Sequence, residues 1–268
     1  MKRIGIIGCG NMGEALIRGI LSRGLVNKRD IFVHDLRKSR VSLMKRCYGV
    51  KTKPSSNDLI KSCQTIIVAV KPQNIGLLLT HARAVLNKTK LLISIAAGVD
   101  INSLFHLSGG HTQITRVMPN MPALVGSGVS ALAFSRGVKP GKKKLARSIF
   151  GSVGEVIEVK EDLLDAVTAI SGSGPAYFFY LVEVLLKYGL DAGIKRADAQ
   201  KLAVYTALGS GEALAKTGIS AEKLRSMVTS KRGTTEAAFK VFKRYGLGKT
   251  LKQGIRAAER RARQLRGG

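Results

Sequence analysis

Gly8-x-Gly10-x-x-Gly13 follows directly on the apolar run Arg3-Gly8 and heads a helical pattern, which is the spacing of a phosphate-binding turn. Gly8 permits the tight turn, Gly10 lets backbone approach a pyrophosphate, and Gly13 lets helix pack on strand, so an anion would rest on the helix N-terminus. Asp35, ending the next β-rich run, is the residue type that accepts hydrogen bonds from a ribose 2′-hydroxyl, which favours NAD. Arg37, Lys38 and Arg40 follow at once and can neutralise a 2′-phosphate, which favours NADP. A dinucleotide is therefore expected, with the choice between the two left open. Two small-residue segments, Ala69-Val70-Lys71-Pro72-Gln73 and Ser94-Ile95-Ala96-Ala97-Gly98, end apolar runs and can reach the same crevice, where small side chains let a flat nicotinamide lie against backbone.

Two further clusters lie in the second half. Ser171-Gly172-Ser173-Gly174-Pro175 reads as a helix start with proline at its first position, and its amides can receive a carboxylate. Val228-Thr229-Ser230-Lys231-Arg232-Gly233-Thr234-Thr235 opens a helix at Thr234, where hydroxyls and amides form a cradle for a small carboxylate. Each is also what an ordinary cap looks like. Neither brings a His-Asp pair that would make a serine nucleophilic. Cys9, Cys47 and Cys63 lack Cys-x-x-Cys spacing and the four histidines lack a His-Glu-x-x-His pattern, so neither a disulfide framework nor a metal site is expected.

The elements that must position these residues alternate over the first 160. Strands are predicted at Arg3-Gly8, Ile31-Asp35, Thr65-Val70, Leu91-Ile95, Gln113-Met118, Val129-Phe134 and Glu155-Val159. The first five are continuously apolar inside, as strands buried on both faces of a mostly parallel sheet should be. From Glu161 only helical patterns remain, at Pro175-Lys187, Lys195-Leu214, Ala221-Met227, Thr234-Arg244 and Lys249-Leu265. The expected fold is an α/β Rossmann-type N-terminal domain, 1–160, joined to an all-α C-terminal dimerisation domain, 161–268. Ala176-Leu186 carries Glu183 as its one charge; a helix apolar nearly all round must be buried on most sides, which predicts an obligate dimer of interleaved helical domains with the active site near the subunit boundary.

Hydrophobic residues make up 45% of 268 and aromatics 5%, so disorder is excluded and cores of small aliphatics are expected. No apolar run reaches the roughly 18 residues of a membrane span, and the N-terminal one is too short for a signal peptide, so the cytoplasm is the expected compartment and no membrane partner is foreseen. The net charge of +28 is uneven: residues 1–160 hold 26 basic and 7 acidic side chains, whereas 161–239 are neutral. Such a field attracts anions, but aromatics are not interleaved with the charges, so a solvated surface is the expected reading and a nucleic-acid partner is not.

Ile-Gly-Cys-Gly-Asn-Met-Gly at 7–13, Ala-Val-Lys-Pro-Gln at 69–73, Arg-Val-Met-Pro-Asn-Met-Pro-Ala at 116–123, Ser-Gly-Ser-Gly-Pro-Ala-Tyr at 171–177 and Val-Thr-Ser-Lys-Arg-Gly-Thr-Thr at 228–235 closely resemble, in that order, the pyrroline-5-carboxylate reductase family. The resemblance runs nearly end to end. It implies reduction of 1-pyrroline-5-carboxylate to L-proline with NADPH, or alternatively NADH, in a dimer that often assembles into decamers. It places the cofactor on Ile7, Gly8, Cys9, Gly10, Asn11 and Met12, on Asp35, Leu36 and Arg37, at Ser56, and along Ala69, Val70, Lys71, Pro72, Ala96, Ala97 and Gly98. The imino acid is implied to lie against Glu161, Ser230, Gly233, Thr234 and Thr235, with the Thr235 hydroxyl on the imine nitrogen. The chain departs from the family pattern at Arg232, usually glycine, at Lys231, often proline, and at Ser56 and Met227, where asparagine is common; Asn57 can stand in for the first. The alternatives are a related imine or β-hydroxyacid reductase, for which Lys187 is the candidate catalytic lysine, and a non-catalytic cofactor-sensing nucleic-acid binder.

Overall fold

The computed structural model describes Arg3–Arg266 and divides the chain into two compact units. One runs to Ser173 and takes in the chain again from Ala258; the other is Gly174–Ala257. Packing therefore divides at Ser173 rather than at the expected Lys160, because Leu164 is fully buried with Ala131 and Ala133 of the first unit.

The first unit contains β1 (Ile4–Ile7), α1 (Asn11–Ser22), β2 (Ile31–His34), α2 (Lys38–Tyr48), β3 (Lys51–Thr52), α3 (Ser56–Ser62), β4 (Thr65–Val68), α4 (Ile75–Ala82), β5 (Leu91–Ser94), α5 (Ile101–Leu107), β6 (Ile114–Met118), β7 (Gly128–Phe134), α6 (Pro140–Gly151), β8 (Gly154–Glu158) and α7 (Leu164–Val167). Its eight strands form one sheet in the order β3-β2-β1-β4-β5-β6-β7-β8. All neighbours are parallel except β6 and β7. Those two are joined through the short turn Met121–Val125, and a parallel pairing would need a crossover of a dozen or so residues. All seven expected strands are present. β3, two polar edge residues without an apolar run, is the one the sequence does not reveal.

Residues alternate between the two faces of the sheet. Ile4, Ile6, Ile31, Val33 and Ile93 pack under α1, α2 and α6 through Leu16, Ile20, Met44, Ile149 and Phe150. Phe32, Ile66, Val68 and Leu92 pack under α3, α4 and α5 through Leu59, Ile60, Leu79 and Leu104. Helices on both sides explain why the strands are apolar without a break. Gly5 serves this packing, since a Cβ there would stand 2.2 Å from Leu59 Cδ2.

His111, 3% exposed, places Nε2 3.1 Å from the Lys90 carbonyl oxygen. Burial, outweighing its backbone hydrogen bonds, pushes its pKa below the ordinary histidine value. The unfolded chain thus takes up this proton first, so stability present at neutral pH is lost as pH falls through about 6.5 and below. Thermal unfolding scans should show Tm dropping between about pH 7 and pH 5, with a shallower slope in His111→Gln. Equal slopes would mean that His111 does not drive the acid loss.

The second unit holds α8 (Gly174–Asp191), α9 (Arg196–Thr217), α10 (Ala221–Met227), α11 (Thr234–Arg244) and the larger part of α12 (Leu247–Arg266). α8 and α9 meet closely: a Cβ on Gly189 would lie 3.0 Å from that of Ala199. The expected helix start at Ser171–Pro175 is instead the continuation of α7 through a π-helical turn, Thr168–Gly172. Ser171 and Thr168 spend their hydroxyls on the carbonyls of Val167 and Leu164, so they are not caps with amides to spare. Among the described residues, one helix, Glu161–Asp191, is long and apolar enough by length and composition to cross a membrane, although no such span was expected. The π-helical turn hides its continuity in the sequence. Within the single chain, Phe178, Tyr180, Leu181 and Tyr188 of α8 and Leu202, Tyr205 and Leu208 of α9 are all more than half exposed.

Candidate cofactor and imine sites

The registers of β1, β2, β4 and β5 bring Ile7, His34, Val68 and Ser94 level. The ladder runs one step further, with Gly8 N donating to His34 O (2.8 Å), Ala69 N to Ile7 O (2.8 Å) and Ile95 N to Val68 O (3.2 Å). Gly8–Met12, Asp35–Arg37, Ala69–Pro72 and Ala96–Gly98 therefore all leave the same carboxyl edge, where open α/β sheets bind nucleotides.

The turn after β1 is made for backbone. Gly8 has φ +99°, and a Cβ on it would stand 2.5 Å from Ala69 O; one on Gly13 would stand 2.2 Å from Gly8 O. Gly10 is the N-cap of α1 and meets nothing within 4 Å of its would-be Cβ. No side chain caps α1, so its first-turn N–H groups keep their capacity for an anion. Glu14 in that turn would oppose one. It is held instead by Arg40, ion-paired through Nη2, and by the Tyr48 hydroxyl at 2.9 Å. Burial would raise the Glu14 carboxyl, but these two donors outweigh it and hold the group below its usual range.

Arg40 also donates from Nε to Cys9 O (2.6 Å), and the Cys9 N–H donates to Asp35 Oδ2 (2.7 Å). Residues 9, 14, 35, 40 and 48 thus form one network that sets the turn. Asp35 and Arg40 of its members were singled out for the cofactor's ribose end from sequence, whereas nothing in the spacing of Glu14 and Tyr48 points to the network. Arg40 is engaged here rather than free for a 2′-phosphate. Burial, then the Asp35 carboxylate, pushes the Cys9 thiol up to about 12, so it stays protonated.

Asp35 is spent as well. Oδ1 accepts from Arg37 N (2.8 Å) and Nε (3.2 Å), which leaves the 63% exposed Arg37 side chain as the group that faces solvent here. Burial works against ionisation of Asp35, but the Arg37 and Cys9 donors prevail and keep its carboxyl below the usual range. Leu36 is exposed. Ser56 begins α3 behind Ser55, whose hydroxyl caps the helix. The Asn57 amide donates to His81 O on α4 at 3.3 Å.

These features fit a dinucleotide with an anionic bridge and a cation at the adenosine end. Arg37→Ala should raise the KM for NADPH about tenfold and that for NADH far less, because only the former carries a phosphate for the guanidinium to pair with. Asp35→Ser should shift preference the other way. Steady-state kinetics with both cofactors check this, and equal effects of Arg37→Ala would reduce it to part of the general field.

In the second unit, Gly233 is the N-cap of α11 and brings no side-chain cap. Its would-be Cβ stands 2.3 Å from Ser230 Oγ, and its N–H donates to Ser230 O at 3.0 Å. Arg232 holds φ 63°, the left-handed region, which gives a physical reason for the glycine usual there; its N–H donates to Glu236 Oε2 at 2.7 Å. Thr229 spends its hydroxyl on Arg225 O. Ser230, Gly233, Thr234 and Thr235 are thereby gathered at one uncapped helix start. Glu161 belongs to the first unit, where its Oε1 accepts from Ile101 N (2.7 Å) and pairs with Arg116 (3.3 Å). Lys187 is exposed on α8.

A largely parallel sheet with a glycine turn opening onto an uncapped helix at its carboxyl edge, followed by an all-helical unit, defines a Rossmann-type NAD(P)-dependent oxidoreductase. Residues 161–265 match the model of the pyrroline-5-carboxylate reductase dimerisation family, and 3–98 match that of coenzyme F420-dependent NADP oxidoreductases. The chain is 36% identical to the pyrroline-5-carboxylate reductase of Synechocystis sp., over 98% of each chain, and 38% identical to that of Mycobacterium leprae, over 99% of this chain and 97% of the relative. A pyrroline-5-carboxylate reductase structure from Coxiella burnetii superposes with a TM-score of 0.93 at 32% identity, covering 98% of both chains. A pyrroline carboxylate reductase from Plasmodium falciparum, solved with NADP bound, superposes with 0.88 at 30% identity, covering 99% of this chain and 98% of that one. The chain belongs to the pyrroline-5-carboxylate reductase family.

Proposed function

We propose that this chain reduces 1-pyrroline-5-carboxylate to L-proline, the last step of proline biosynthesis, with NADPH and less readily with NADH. The observation that carries this reading is the joint presence, in one chain of this family, of the uncapped anion-accepting start of α1 and the uncapped hydroxyl-rich start of α11. When bound, the dihydronicotinamide supplies the hydride that reduces the C=N carbon. The residues of the chain bind and orient. The Ser230–Thr235 loop and first-turn amides of α11 hold the substrate carboxylate at the positive end of the helix, and the Thr235 hydroxyl meets the imine nitrogen. A cyclic imine can be protonated before or on binding, so the chemistry needs little from acid–base side chains beyond position and field. Glu161 Oε1 is held by the Ile101 N–H and Arg116.

Dimers form through the helical unit, and we assign their further assembly into decamers and a cytoplasmic location as parts of the same reading. The test is substrate-dependent loss of dihydronicotinamide absorbance with proline as product. Protein that binds NADPH yet leaves the imine unreduced overturns the assignment.

A further inference from the structure

The last turns of α12 are strongly basic, with Arg260, Arg261, Arg263 and Arg266, and such cations normally face water. Arg266 turns inward: its Nη1 lies 3.3 Å from Oδ2 of Asp165, whose side chain is only 2% exposed. A carboxylate withdrawn from water is strongly destabilising unless a cation meets it. Arg116, the other cation near Asp165, is 3.9 Å away and stands closer to Glu161, at 3.3 Å. Arg266 is thus the nearer counter-charge of a buried acid.

This ion pair fixes the neighbouring residue. Leu265 lies against Gly98, where a Cβ would stand 2.9 Å from the Leu265 carbonyl oxygen, and Gly98 holds φ +76°. Gly98 thereby admits the end of α12 onto the segment that leaves β5. The far side of that segment is pinned too, since Asp100 accepts from Ser103 N (2.7 Å) and Glu161 from Ile101 N (2.7 Å). All these residues belong to the first unit.

The geometry points to a clamp: Arg266 is a positioning residue that, by pairing with Asp165, seats the end of α12 on Gly98 and so sets the Ala96–Gly98 backbone where the nicotinamide half of the cofactor would lie. The assignment rests on the proposed placement of the cofactor along this segment. Arg266 touches neither cofactor nor substrate; it acts through the loop.

The test uses the full-length protein with Arg266→Ala, Arg266→Lys and, as a control removing an equal charge from the same helix, Arg261→Ala. Amide hydrogen exchange is measured without cofactor, and kcat and KM for NADPH are measured separately. In Arg266→Ala, exchange over residues 96–101 should quicken about tenfold while the sheet amides hold their rates. The same variant should lose about fivefold in kcat with the KM for NADPH changed by less than about twofold, because misaligned reactants cost rate more than binding. Lysine at 266 should recover most of both, and Arg261→Ala should match the unaltered protein. Unchanged exchange at 96–101 overturns the clamp. Faster exchange with unaltered kcat overturns its role in positioning. Quickened exchange throughout the first unit, unrelieved by lysine, also overturns it by making Arg266 a general structural residue. Exchange is read without cofactor or substrate, so failure of the unaltered protein to reduce the imine would remove the catalytic reading and leave the loop result standing.

Discussion

Phe179→Lys, or Leu185→Lys, is expected to abolish both dimer and activity. α8 presents Phe178, Phe179, Tyr180, Leu181, Val184, Leu185 and Tyr188 to solvent when the chain is taken alone, and α9 adds Leu202, Tyr205 and Leu208. A contiguous apolar surface of this kind on a lone chain marks a protein interface. Each such side chain, once fully buried, contributes about 1.5–3 kcal/mol, so several together rival the whole stability of a domain. The unit that carries them matches a dimerisation family, and residues 161–239 have no net charge to hold two copies apart. A lysine at the centre of that surface replaces burial of an apolar group by desolvation of a charge, and an obligate dimer often has no stable folded monomer to fall back on. Light scattering should find monomer or aggregate with activity lost in proportion. A fully active monomer at micromolar concentration would defeat the prediction.

Thr235→Ala should lower kcat/KM by tenfold or more, about 1.4 kcal/mol of transition-state stabilisation, with NADPH affinity nearly unchanged. Thr235 sits in the first turn of α11, where the N-cap is Gly233 and Glu236 is engaged with the Arg232 N–H. Its hydroxyl has no partner within the chain among the described residues, unlike those of Thr229, Thr168 and Ser171, each of which is bonded to a carbonyl one turn back. Alanine is a good helix former, so the substitution should not cost stability. A thermal midpoint within a few degrees of the parent alongside the kinetic loss would separate chemistry from folding. Unaltered kcat/KM would remove Thr235 from the site.

What could be read from residue order alone is local in origin. Strands buried on both faces announce themselves as unbroken apolar runs, and the glycines at 8 and 13 state where backbone must come close, because no other residue tolerates those contacts. The helix starts at Ala221 and Thr234 followed from polar residues before an amphipathic pattern. The two-residue edge strand Lys51–Thr52 carries no such signal, and the π-helical turn at Thr168–Gly172 reads as a break although the helix runs through it.

Sequence determined that this chain has a Rossmann-type dinucleotide-binding unit with a helical partner unit, because periodicity and glycine spacing are set within a few residues. Tertiary structure decided which charges are free to act. Asp35 and Arg37 look like competing selectors of cofactor, yet Asp35 is consumed by Cys9 N–H and Arg37, while Arg40 is consumed by Glu14 and Cys9 O. Glu161 pairs with Arg116, and Arg266 meets Asp165 across about a hundred residues of chain. The desolvation of Arg116 and Asp165 that makes their pairings obligatory exists only once the sheet and its helices have closed over them.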